Sequence, residues 1–146
     1  MKSLLTKMLI PLVAIGSLGI GASAAFAFSE HDAGDMKAHD AKATNLKYHF
    51  DAVYEKRGNT KYYGVKWKGT LSAPKGVTAE VKLRSDAYPW VSAAYLKPTA
   101  TTRSVKFTKN MFPGDTLYLS TSSIQLCHYD YWWILDDCQT AKYKRG

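Results

Sequence analysis

The groups in this chain able to do chemistry gather near its C-terminal end. Cys127 and Cys138, the only cysteines, enclose Tyr129, Tyr131, Trp132, Trp133 and three aspartates (Asp130, Asp136, Asp137), with His128 beside the first cysteine. A thiol nucleophile or metal site would need further ligands at set spacing, and no C-x-x-C or second His–Cys pair is present. Asp136 and Asp137 resemble an acid–base pair, yet adjacent strand residues point to opposite faces, so the two carboxylates diverge. Ser120, Ser122 and Ser123 have no evident base, and no G-x-S-x-G, H-E-x-x-H or phosphate loop occurs. The expectation is a non-enzymatic protein with no catalytic residues, no metal and no cofactor. The cysteines are expected to pair, closing a hairpin and stabilising the fold by roughly 3 kcal/mol in the chain-entropy model.

What remains is binding chemistry. On a strand, Tyr129, Tyr131, Trp133 and Leu135 would share one face, and His128, Asp130, Trp132, Ile134 and Asp136 the other. One face must be core. The other is either covered or an aromatic platform of the kind that stacks on sugar rings or anchors a protein interface. Lys66, Lys68, Lys82, Arg84 and Lys106 form a second binding set, all on strand faces expected to point outward. Between Lys42 and Lys109 there are fourteen Lys or Arg against four acids, a local charge of +10. Such a surface attracts polyanions, although lysines also keep a Tyr-rich sheet soluble. A third set, His31-Asp32 and His39-Asp40, pairs imidazole with carboxylate as copper and zinc prefer. In a flexible segment nothing would fix their geometry, so they are taken as solvated linker.

The elements that must position these residues follow from the pattern. Residues 1–27 carry a basic start (Lys2, Lys7), an apolar run from Met8 to Ile20 and small residues through Ala22-Ser-Ala-Ala-Phe-Ala27. That is the pattern of a secretory signal peptide, cut after Ala27 or after Ala24. Without it the chain has 18 basic and 12 acidic residues, a charge of +6. Residues 28–44 are polar and partly acidic (Glu30, Asp32, Asp35, Asp40), and read as a flexible linker. From Asn45 onward apolar and polar residues alternate with period two: Leu46, Tyr48 and Phe50 against Lys47, His49 and Asp51, then Tyr63, Val65, Trp67 and Leu71 against Tyr62, Lys66 and Lys68. Gly58-Asn59 makes the turn between them. Further strands are expected over 77–84, 88–96 (with Pro89 marking an edge or bulge), 103–109 and 116–126. About seven short strands at this spacing predict a small antiparallel β-sandwich over 45–141, of an immunoglobulin-like kind, ending in the disulfide-closed hairpin and a basic tail at 142–146.

The expected function is that of a secreted or periplasmic binding protein, basic and of bacterial type. It would engage a cell-surface glycan or polyanion, or a protein partner, rather than nucleic acid. A secreted antibacterial or toxin-like protein, or an inhibitor of an exported enzyme, are the alternatives.

Overall fold

The structure is a computed structural model and describes residues 29–86, 88–129 and 137–146. Eight strands run in order: β1 His31–Ala38, β2 Ala41–Arg57, β3 Thr60–Ser72, β4 Thr78–Ser85, β5 Tyr88–Leu96, β6 Ser104–Met111, β7 Thr121–Tyr129 and β8 Asp137–Lys144. Among the described residues there is no helix. The strands form two antiparallel sheets, β1-β2-β3-β6 and β5-β4-β7-β8. Inward residues of both sheets build one core, with Leu46, Phe50, Val65, Trp67 and Leu71 from the first and Val81, Leu83, Ile124 and Leu126 from the second. The indole of Trp67 is fully buried and donates to Ser122 Oγ across the sheets at 2.9 Å, satisfying the one polar atom it carries inward.

The all-β sandwich therefore stands. β3 pairs with β6 in one sheet while β4 pairs with β7 in the other. That crossed pairing is the one immunoglobulin-type sandwiches make between strands B and E, and C and F. The Gly58-Asn59 turn closes β2 on β3, with Gly58 at φ 66° and Arg57 opposite Thr60. Pro89 lies on β5, an edge strand, where a missing N–H costs no ladder bond. Cys127 and Cys138 are bonded and stand directly opposite each other on β7 and β8.

Three boundaries differ from the pattern-based expectation. Most of the supposed linker at 28–44 is strand: from His31 onward it is β1 and the start of β2. Its inward positions Ala38, Ala41 and Ala43 are fully buried, and Ala33 and Met36 pack partly against the same core. Its acids serve the backbone: Asp32 Oδ1 accepts from Gly34 N at 2.8 Å and Asp35 Oδ1 from Asn45 N at 3.0 Å. The basic tail at 142–146 is the end of β8 plus an anchor. Tyr143 packs against Tyr48, ring centroids 4.6 Å apart, and Arg145 pairs with the buried Asp51 carboxylate at 2.5 Å. The strand expected over 116–126 begins only at Thr121. Leu117 is 52% exposed, and Asp86 holds the chain before β7 by accepting from Ser120 N at 3.0 Å and Thr121 N at 2.9 Å. The expected signal segment lies outside the described residues.

Candidate functional site

The outer face of the first sheet carries a cluster of lysines. On β3, Val65, Trp67 and Leu71 go to the core, so Lys66, Lys68 and Thr70 project outward. On β6, Phe107 and Met111 go inward and Lys106, Thr108 and Asn110 outward. On β2, Leu46 and Phe50 go inward and Lys47 and His49 outward. Strand register then sets the rows. Asp32 of β1 stands opposite Lys47, Lys47 opposite Lys68, and Lys68 opposite Thr108. His49, Lys66 and Asn110 form the next row, Thr44, Thr70 and Lys106 the row on the other side.

Two irregularities in β2 create this alignment. Between Thr44 and Lys47 the strand has one more residue than β3 between Thr70 and Lys68, and between Phe50 and Val53 it has two more than β3 between Val65 and Gly64. Asn45 (φ 54°) and Asp51 (φ 62°), both in the left-handed region, sit at those bulges. The first bulge opens a concavity of about 320 Å³ lined by Asn45, Lys47, Lys68, Thr70, Lys106 and Thr108. The carboxylate of Glu30 reaches Lys68 Nζ at 2.9 Å. The hydrogen bond from Lys68 holds the Glu30 carboxyl below its usual value, against the opposing effect of desolvation and with the charges of Lys68, Lys47 and His49 assisting.

Of the basic residues singled out in the sequence, Lys66, Lys68 and Lys106 are brought together here. Lys82 and Arg84 are not: β4 places them on the outer face of the second sheet, opposite Gln125 and Ser123. Tyr129 shares that second face. Its hydroxyl donates to Glu80 Oε1 at 2.6 Å, and Lys82 Nζ lies 5.7 Å from its ring centre. Tyr131, Trp132 and Trp133 lie outside the described residues. Lys47 is a site residue that pattern reading placed outward without recognising; its partner across the ladder depends on the two bulges, which alternation alone does not register.

Two other constellations change meaning in the fold. Ser122 is engaged structurally, its hydroxyl lying between Trp67 Nε1 and the carbonyl of Arg84. His39 and Asp40, the turn between β1 and β2, come to His128 on the inner face of β7, with imidazole centroids 4.7 Å apart. The searches of family models, curated proteins and solved structures returned no match to this chain.

Proposed function

We propose that this is a non-enzymatic, exported binding protein that engages an anionic glycan or polyanion of a cell surface through the outer face of the β1-β2-β3-β6 sheet. The observation that carries the reading is the placing of Lys47 directly opposite Lys68, with Lys66 and Lys106 in the flanking rows. Like charges directly opposed on a sheet are destabilising. The acids on this face are fewer than the lysines: Asp32 stands opposite Lys47 on β1, and Glu30 pairs with Lys68. Repeating carboxylate, phosphate or sulfate groups would relieve this repulsion, and the Glu30 carboxylate already sits on Lys68 as an anion would. The concavity at the Asn45 bulge gives one such group a place to enter. Export is supported by the basic, apolar and small-residue pattern of 1–27 and by the formed disulfide.

The test is retention on an immobilised sulfated polysaccharide and on bacterial cell-wall polymer, eluted with salt. The variant K47Q/K66Q/K106Q should elute at much lower salt than the wild type. K82Q/R84Q, which removes charge from the opposite face, should elute close to the wild type. Equal losses in both variants would mean net charge alone governs retention and would overturn the assignment to this face.

A further inference from the structure

The cluster at one end of the sandwich has no part in polyanion binding. We propose that His39, Asp40 and His128 form a binding site for a divalent transition-metal ion of the zinc class, joining the β1–β2 turn of one sheet to β7 of the other.

Each element fixes its donor. His39 and Asp40 are the two turn residues of the β1–β2 hairpin, between Ala38 and Ala41, which face each other and are both fully buried. The turn is thereby held at a set height over the second sheet. His39 has φ 54°, the positive φ that a two-residue hairpin turn demands of its first residue, and this fixes the direction of its side chain. His128 is only 6% exposed, and its neighbour Cys127 is tied to Cys138, which locks the strand that carries it. The ligand atoms of all three residues lie within 4.8 Å of one another, and His39 Nδ1 is 3.4 Å from Asp40 Oδ1.

The chemistry of the set is specific. Two imidazole nitrogens and one carboxylate suit zinc, copper or nickel, whereas calcium and magnesium take oxygen ligands. Tetrahedral donors at zinc bond lengths stand about 3.3 Å apart. The side chains of His39 and Asp40 are 64% and 51% exposed, so they can close the remaining distance by rotating about their side-chain bonds. Three protein ligands leave a fourth position for water. Exposure of the turn gives the ion a path in from solvent. An ion here would clamp the N-terminal hairpin to the disulfide-braced hairpin.

The experiment is zinc titration of the oxidised exported chain by calorimetry, with thermal melting in parallel. A saturable 1:1 complex is expected, together with a rise in melting temperature, since an ion that binds only the folded state stabilises by mass action. His39→Ala and Asp40→Asn alter only the exposed turn and should each weaken zinc by about tenfold or more. His31→Ala and His49→Ala should bind as the wild type does. The ring-nitrogen resonances of His39 and His128 should shift on zinc addition while those of His31 and His49 stay in place. Absence of saturable binding, or wild-type binding by His39→Ala, would overturn the site. Polysaccharide retention tests the other reading separately, because His39→Ala leaves the lysine rows intact.

Discussion

If the lysine rows are kept for binding at a cost in stability, one substitution should move stability and binding in opposite directions. Lys66→Glu is that substitution. Lys66 sits in the middle strand of the face, next to Lys68 along β3 and diagonal to Lys47 on β2. Such neighbours stand about 7 Å apart on one face of a sheet. Two unit charges at that distance repel by about 0.6 kcal/mol in water, or roughly 0.25 kcal/mol after screening at physiological salt. Reversing the sign turns two repulsions into two attractions, a gain of about 1 kcal/mol. For a domain of this size that is about 4 °C in melting temperature. In 1 M salt, where the screening length falls to about 3 Å, the gain should shrink to about 0.2 kcal/mol.

The same change removes one cation from the polyanion face and adds an anion, so retention on sulfated polysaccharide should fall sharply. The assay is thermal melting of both proteins at 0.15 M and 1 M salt beside column elution. A variant that melts lower than the wild type at 0.15 M refutes the claim that these lysines repel one another. A variant that is more stable yet equally retained refutes their role in binding.

Other consequences follow from the same geometry. Arg103 spends all five guanidinium N–H groups on the carbonyls of Ala73, Pro74, Val77, Lys97 and Ala100, at 2.6 to 3.2 Å, tying the loop before β4 to the loop after β5. Arg103→Ala should cost about 3 kcal/mol, since charged hydrogen bonds contribute about 1.5–3 kcal/mol and only the part-buried ones count fully; Arg103→Lys should recover less than half, and urea denaturation reads both. Arg145→Ala should cost about 3 kcal/mol by leaving the Asp51 carboxylate, 2% exposed, without its cation, and D51N/R145A should be less damaged than R145A alone. The Asp86 carboxyl is pushed up by burial, the largest single effect, but the N–H groups of Thr121 and Ser120 outweigh it and hold it below its usual value. A depressed carboxyl contributes stability above the unfolded-state pKa of about 3.9, lost as pH falls through the lower folded value. The melting-temperature gap between wild type and Asp86→Asn should therefore be full above about pH 4.5 and close as the pH falls toward 2.

Alternation showed the inside and outside of most strand positions; it failed at Asp51, read as outward beside Lys47 and His49 but turned inward to 5% exposure at the second bulge of β2. Leu46, Phe50, Val65, Trp67, Val81 and Leu83 all take the core positions that period two gave them. Sheet membership was beyond it. Lys66, Lys82 and Lys106 look alike in sequence, but β3 joins β6 and β4 joins β7 through pairings that span tens of residues. Local pattern cannot tell which outer face a lysine will share. β1 was missed because its core contacts are small: Ala38 buries a methyl where reading by hydrophobicity looks for a leucine. At the other end Tyr143 was the available signal, one large ring in a run of lysines, and it closes on Tyr48 and Trp67.

The irregular backbone points to function more directly than composition does. Among the described residues, three other than glycine adopt positive φ, and all three lie between His39 and Asp51. Asn, Asp and His are the non-glycine residues found most often at positive φ, at a cost of at most about 1–2 kcal/mol each. Asn45 opens the bulge that forms the concavity and aligns Lys47 with Lys68. Asp51 turns its carboxylate to Arg145 and anchors the end of the chain. His39 brings an imidazole and the Asp40 carboxylate to His128. Two of the three serve the proposed sites and the third serves stability, which makes His39→Gly informative: glycine adopts the same φ without strain. The hairpin should keep its shape and gain stability, while zinc binding is lost. If zinc binding instead persisted in His39→Gly, the turn would have no connection to a metal, and its left-handed histidine would answer only to the two-residue hairpin.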